Sequence, residues 1–114
     1  MLVLGLAGLV LFPSCTKNST GYNNPPPPPN AITMTNFSFS PSSKTVSVGT
    51  TITWTNNSGN LHTATSDSPS TELNSGDVSG AGGSFSHTFN TVGTFNYHCI
   101  YHQAFGMTGT ITVQ

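Results

Sequence analysis

At 114 residues and a formal net charge of −1, the chain has room for one ordinary domain and no basic stretch that would hold nucleic acid. Only 4% of its residues are charged, and Ser, Thr and Asn supply roughly four in ten, far from average globular usage. So little charge leaves a weak long-range field, which excludes strong electrostatic steering and makes short-range contact the basis of recognition.

Met1 to Phe12 is nearly continuous apolar sequence, but it is too short for a membrane-spanning helix of about 20 residues. It reads as the core of an export signal. Ser14 directly before Cys15, with the polar run Lys17 to Asn24 behind it, resembles a bacterial lipoprotein signal, in which the cysteine becomes the lipidated first residue. No Lys or Arg precedes the apolar run, and Phe12-Pro13 stand where aliphatic and small residues are usual. A plain secretory signal or a short uncleaved anchor therefore stays open. The expectation is a signal over residues 1–15 and a periplasmic or cell-surface protein, with Cys15 the candidate lipid anchor.

Residues 16–30 read as a polar, Pro-rich linker. Pro25 to Pro29 favours extended polyproline II and has no backbone donors. Fully extended, Thr16 to Asn30 would reach roughly 45 to 50 Å, a spacer rather than a ligand for a proline-binding module.

Residues 31–114 form the body, in which short alternating runs rich in Thr, Val, Ile and Phe are broken by Gly, Asn and Pro. That is the pattern of an all-β sandwich or barrel. The expected strands are Ile32 to Phe39, Lys44 to Val48, Thr51 to Asn56, His62 to Ser66, Ser84 to Phe89, Thr94 to Cys99 and Thr108 to Val113. By the two-residue period, Ile52 with Trp54, Phe85 with Phe89, Phe95 with Tyr97 and Ile111 with Val113 face the core. No helical period competes, although a short turn is expected around Pro69 to Leu73.

The same period turns Cys99 inward at the end of its strand and His98 outward. Cys99, His102 and Met107 follow in the order Cys-x-x-His-x-x-x-x-Met, so one loop can bring three donors to a point. His62, after the turn-rich Asn56 to Asn60, is the upstream histidine outside the Phe85 strand. A thiolate, two imidazoles and a thioether make a donor set for copper in both oxidation states, because soft sulfur suits Cu(I) and imidazole also accommodates Cu(II). A structural zinc site uses Cys, His and carboxylate, and Met107 argues against it. Once Cys15 is lipidated or removed, Cys99 is an unpaired thiol in an oxidising compartment, a risk that ligation would remove. A buried inert cysteine and a Cys15–Cys99 disulfide remain the alternatives.

In this light Phe37-Ser38-Phe39-Ser40-Pro41, Val48 to Asn56 leading to His62, Phe89 to Cys99 and Gly106 to Val113 together resemble the cupredoxins, closest to the plastocyanin-like small blue copper proteins. The resemblance implies a two-sheet Greek-key β-sandwich with one copper ion near one end, His62, Cys99 and His102 as equatorial ligands and Met107 as the weak axial one. It also implies a monomeric one-electron carrier without enzymatic activity, with redox protein partners docking near the His102 edge. Tyr101 stands where such proteins often have proline, which predicts a looser ligand loop. Thr63 stands where asparagine is common, which predicts altered hydrogen bonding around the cysteine sulfur.

Alternative readings are weighed on the same residues. A copper storage or delivery module for an envelope oxidase would use similar ligands. A cysteine nucleophile with His102 as base lacks any third orienting residue. His87 shares the parity of Phe85 and Phe89 and reads as a hydrogen-bonded, partly buried histidine, whereas His98 reads as an exposed strand residue or a second electron port. Phe105, with Leu61, Ala104 and Gly106, either collars the His102 edge or packs under the loop. The Asp67 to Gly83 segment, poor in acids, is expected to be a solvated loop rather than an acidic docking patch.

Overall fold

Alternating Thr or Ser with Ile, Trp and Phe produces strands that bury one face and leave the other to water. The computed structural model describes residues 29–114; the expected export signal and residues 16–28 of the expected linker lie outside the described residues. Eight strands follow in order: β1 (Ala31–Met34), β2 (Phe39–Ser40), β3 (Ser43–Val46), β4 (Thr50–Asn56), β5 (Thr65–Ser66), β6 (Ser84–Phe89), β7 (Gly93–His98) and β8 (Thr108–Val113). One sheet has the order β2-β1-β4-β6 and the other β3-β8-β7-β5. The pairs β1·β4 and β3·β8 are parallel, and the remaining pairs are antiparallel. This is the Greek-key β-sandwich that the resemblance implies.

The expected first strand divides in two. Thr35 donates its backbone N–H to the Ser38 carbonyl at 2.9 Å and its hydroxyl to the same oxygen at 3.1 Å. That turn folds β2 back on β1, pairing Met34 with Phe39, and lifts Phe37 out to solvent. Pro41 then separates β2 from β3, because it has no N–H for the ladder, and the chain crosses from one sheet to the other. The expected strand from His62 is also curtailed. Thr63 donates its N–H to the Cys99 sulfur and Ala64 donates its own to the Ser75 hydroxyl, so only Thr65 and Ser66 remain to pair with β7. Near Pro69 there is a turn, closed by Ser70 N–H to the Asp67 carbonyl at 3.0 Å.

Trp54, Tyr97, Ile32, Ile52, Phe89 and Ile111 are fully buried between the sheets. Phe85 and Phe95, expected beside them, are only partly buried. Phe85 sits on the edge strand β6, and Phe95 lies beyond the end of the two-residue β5, where no neighbouring strand covers β7. Tyr97 ties the sheets together: its ring lies 4.6 Å from that of Phe39 and its hydroxyl accepts the Trp54 indole N–H at 3.2 Å. Gly109 is its cross-strand partner, and a Cβ there would overlap the Tyr97 ring, so the mid-strand glycine makes room for the phenol.

Burial pushes the Tyr97 hydroxyl up to about 12, against a smaller opposing effect of the Trp54 hydrogen bond. A folded value above the unfolded one means that the unfolded chain releases its proton first, so stability is intact below pH 10 and falls as pH rises from about 10 to 12. The slope contributed is about 1.4 kcal/mol per pH unit. Denaturant titrations over that range are expected to show this loss in the wild type and a shallower one in Tyr97→Phe.

The solvent faces are ladders of uncharged hydroxyls. Thr51 meets Thr88 at 2.6 Å and Thr53 meets Ser86 at 2.7 Å across β4 and β6. On the other sheet the Thr110 hydroxyl donates to the Asn96 side chain at 2.9 Å. Such cross-strand pairs add stability and explain how so few charges suffice on the surface.

Candidate metal centre

At one end of the sandwich the last residues of β7, the loop into β8 and the segment after β4 converge. Cys99 follows β7 and is fully buried, as its parity with Tyr97 predicts. His62 is held by a two-way backbone pair with Val78, its N–H to the Val78 carbonyl at 3.2 Å and the Val78 N–H to its own carbonyl at 2.7 Å. His102 stands immediately before a single 3-10 turn, Gln103–Phe105. The loop closes on itself through Phe105 N–H to the His102 carbonyl (2.9 Å), Met107 N–H to the same carbonyl (3.3 Å) and Cys99 N–H to the Met107 carbonyl (3.1 Å). Gly106 permits that closure with φ +85°, a left-handed conformation that suits glycine.

The result is a cluster of electron-rich atoms. Cys99 Sγ lies 3.7 Å from His62 Nδ1 and 3.5 Å from His102 Nδ1, and the two Nδ1 atoms are 3.1 Å apart. These atoms all fall within 4.8 Å of one another. Met107 is fully buried, and its backbone is bonded to both Cys99 and His102.

The tautomer of His62 follows from its neighbours. Its Nε2 is 2.9 Å from Ser58 Oγ, and that hydroxyl lies 2.8 Å from Asn56 Oδ1. Asn56 directs its amide nitrogen at the carbonyls of Asn60 (2.7 Å) and Val78 (2.9 Å), so its oxygen can only accept. The Ser58 proton therefore goes to Asn56, and Ser58 Oγ accepts the proton on His62 Nε2. This leaves the His62 Nδ1 lone pair facing Cys99. Burial lowers the pKa of His62, proximity to His102 lowers it further, and the Thr35 backbone acts in the opposite direction. Both results favour a neutral imidazole, the form that binds metal. A buried thiol and two imidazole nitrogens, with the buried Met107 closing the same loop, are the donor chemistry of a copper site, and the residues present fit the ion.

Sequence reasoning missed Ser58 and Asn56, which orient His62 from the loop after β4. Outer hydrogen bonds of this kind typically change metal affinity by about 10- to 100-fold. Ser58→Ala is expected to weaken copper retention within that range with the fold intact, as read by competition with a chelator.

Thr63 is in closer contact with the cysteine than its departure from asparagine suggested. Its backbone N–H reaches Cys99 Sγ at 3.4 Å, a bond independent of side-chain identity, and its hydroxyl accepts the Ile100 N–H at 3.0 Å. Tyr101 does not hang free: its hydroxyl donates to Asp77 at 2.6 Å. His98 is not an exposed strand residue. Its side chain is 15% exposed and its Nδ1 is bonded to Asp67. His87 meets Glu72 at 2.8 Å. Each acid of the Asp67 to Gly83 segment thus holds a partner, and Leu73 and Val78 are buried beneath it. The segment is a strap fastened across the β5 and β6 edges rather than a solvated loop.

Phe105 is 70% exposed, so it does not pack under its loop. Phe37 joins it, with ring centroids 5.2 Å from Phe105 and 5.1 Å from His102. Leu61 and Tyr101 are also exposed. An apolar collar surrounds the half-buried His102.

A profile of copper binding proteins of the plastocyanin/azurin family matches residues 29–114. A plastocyanin from Scenedesmus fuscus is 42% identical over 86 residues, aligning 67% of this chain with 86% of its own length. A halocyanin from Natronomonas pharaonis is 38% identical over 80 residues, 68% of this chain and 49% of that protein. Among solved structures, a purple cupredoxin from Nitrosopumilus maritimus superposes with a TM-score of 0.66 at 28% identity, over 74% of this chain and 98% of its own. The oxidised plastocyanin from Dryopteris crassirhizoma gives 0.65 at 27% identity, covering 74% and 99%. With His62, Cys99, His102 and Met107 arranged as a single copper site, the chain belongs to the plastocyanin/azurin family of copper-binding proteins.

Proposed function

We propose that the protein is a one-electron carrier and not an enzyme, in which His62, Cys99 and His102 would hold a type 1 copper strongly and Met107 would hold it weakly. The observation that carries this is the convergence of Cys99 Sγ and two Nδ1 atoms within 4.8 Å on backbone held by hydrogen bonds. When bound, copper supplies the one-electron couple. The chain's part is to keep the donors in one arrangement for both oxidation states. Ser58 holds the His62 ring, the Thr63 N–H steadies the Cys99 sulfur, and the closed loop fixes His102 and Met107. The buried sulfur is shielded from water and oxidants, while the collar around His102 leaves one ring edge within reach of a partner.

Copper titration followed by visible and paramagnetic resonance spectroscopy, with voltammetry on the loaded protein, tests the reading. An intense thiolate-to-copper band and a reversible one-electron wave are expected, and a colourless copper complex would refute it. Copper transfer to an apo acceptor outpacing electron exchange would favour a delivery module.

Redox partners are expected to dock on the collar formed by Phe37, Leu61, Tyr101 and Phe105, as a monomer-to-partner contact of the small, transient kind. The described body carries one Lys and three acids, so the rate of electron transfer to a partner should change only mildly with ionic strength. A stopped-flow salt series measures this. The same proposal includes export, with residues 1–15 as signal, Cys15 as lipid attachment point and residues 16–30 as spacer to the body at 31–114.

A further inference from the structure

The loop from Ile100 to Gly106 carries His102 but sends no apolar anchor into the core: Ile100, Tyr101 and Phe105 are 54%, 47% and 70% exposed. Most of its hydrogen bonds are internal or run to Cys99 and Met107. Apart from the ligand side chains and the Thr108 N–H that closes on the Gly106 carbonyl where the loop enters β8, two bonds among the described residues tie it to the rest of the body. One is Ile100 N–H to the Thr63 hydroxyl, and the other is Tyr101 O–H to Asp77. The second joins residues 24 apart in sequence.

What Asp77 is attached to gives that bond its meaning. The next residue, Val78, is paired in both directions with the backbone of His62, and its carbonyl also accepts from Asn56, which positions Ser58 against the His62 ring. Tyr101 in turn immediately precedes His102, with the two rings 6.5 Å apart. The path from one imidazole to the other therefore runs His62, Val78, Asp77, Tyr101, His102 without passing through the metal ligand atoms. At 2.6 Å the hydroxyl-to-carboxylate bond is short and charge-assisted.

We propose that Tyr101 and Asp77 form a brace that sets the spacing of the two imidazoles, making both of them positioning residues for the copper site. An exposed pair of this kind adds little to global stability. Its effect is local: it limits how far the His102 loop can swing from His62, and so how much the donors rearrange between oxidation states. The brace takes over the stiffening that a proline at position 101 would provide through its fixed φ. It rests on the electron-carrier reading only for its kinetic consequence.

The test uses Tyr101→Phe, Asp77→Ala, the double variant and Asp77→Asn, which keeps a neutral acceptor. In the metal-free full chain, exchange of the Ile100 and His102 amides should accelerate about three- to tenfold in either of the first two. The double variant should match the singles because they break one interaction, and Asp77→Asn should restore part of the protection. With copper bound, electron transfer to an electrode should slow in the same order while the visible band persists. Unchanged amide exchange, additive effects of the two substitutions, or looser loops with unaltered electrode kinetics would each overturn the brace. A wild type that takes up copper without colour would instead refute the electron-carrier reading, and the metal-free exchange result would still decide whether Tyr101 and Asp77 hold the loop.

Discussion

Replacing Cys99 by serine is expected to abolish the visible absorption of the copper-loaded protein and its reversible one-electron wave. The sulfur stands at the meeting point of both imidazoles, 3.5 and 3.7 Å from their Nδ1 atoms, on a residue that is fully buried. A bound thiol is deprotonated by the cation and donates charge as a soft ligand. A serine hydroxyl is hard, keeps its proton at neutral pH and has no low-energy electron to give. The Thr63 N–H that now reaches the sulfur at 3.4 Å would meet a smaller atom on a shorter bond. Folding should survive, since serine is smaller than cysteine, and circular dichroism of the variant separates lost colour from a lost fold. Colour persisting in Cys99→Ser would show that the chromophore lies elsewhere.

The largest expected loss of stability comes from Trp54→Ala. Trp54 is fully buried, packs against Phe85, Phe89 and Tyr97 with ring centroids 5.6 to 6.4 Å away, and donates its indole N–H to the Tyr97 hydroxyl. Truncating a core tryptophan costs about 3 to 5 kcal/mol, and here the Tyr97 oxygen also loses its donor in a dry site. Against a typical total of about 5 to 15 kcal/mol, much of the domain's stability would go. Because Tyr97 is two residues before Cys99, which continues its inward face just past the end of β7, copper retention should fall with it. Denaturant unfolding of metal-free and copper-loaded protein measures both effects, and a loss below about 1 kcal/mol would contradict the central place given to this ring.

Strand period carried most of the fold and the inward direction of Cys99, because alternation is a local property and burial follows it directly. The spacing of Cys99, His102 and Met107 was likewise local. What escaped depended on contacts distant in sequence. The break at Thr35 arises from its bonds to Ser38, and the shortened β5 from donors that Thr63 and Ala64 direct to a sulfur and a hydroxyl. Ser58 could be read only as a turn residue, since nothing near it in sequence reveals that it meets His62 Nε2. The alternation around Phe37 reads as strand, and the hairpin between β1 and β2 places it beside His102. Asp67, Glu72 and Asp77 looked like sparse loop acids, and only the folded strap gives each its partner.

His62 and Cys99 are 37 residues apart, on segments joined through the strap and three strands, whereas Cys99, His102 and Met107 share one short loop. An unfinished or open chain can therefore offer the ion a partial grip, and the complete set of donors exists only after the two sheets have closed on each other. Tight capture then favours the closed state by mass action, about 4 kcal/mol when free ion stands a thousandfold above the dissociation constant. Occupancy of the site thus acts as a seal on a finished domain: under the proposed function, the step that would make the protein competent to carry an electron also makes it hardest to unfold, and a chain that has failed to assemble fails to load.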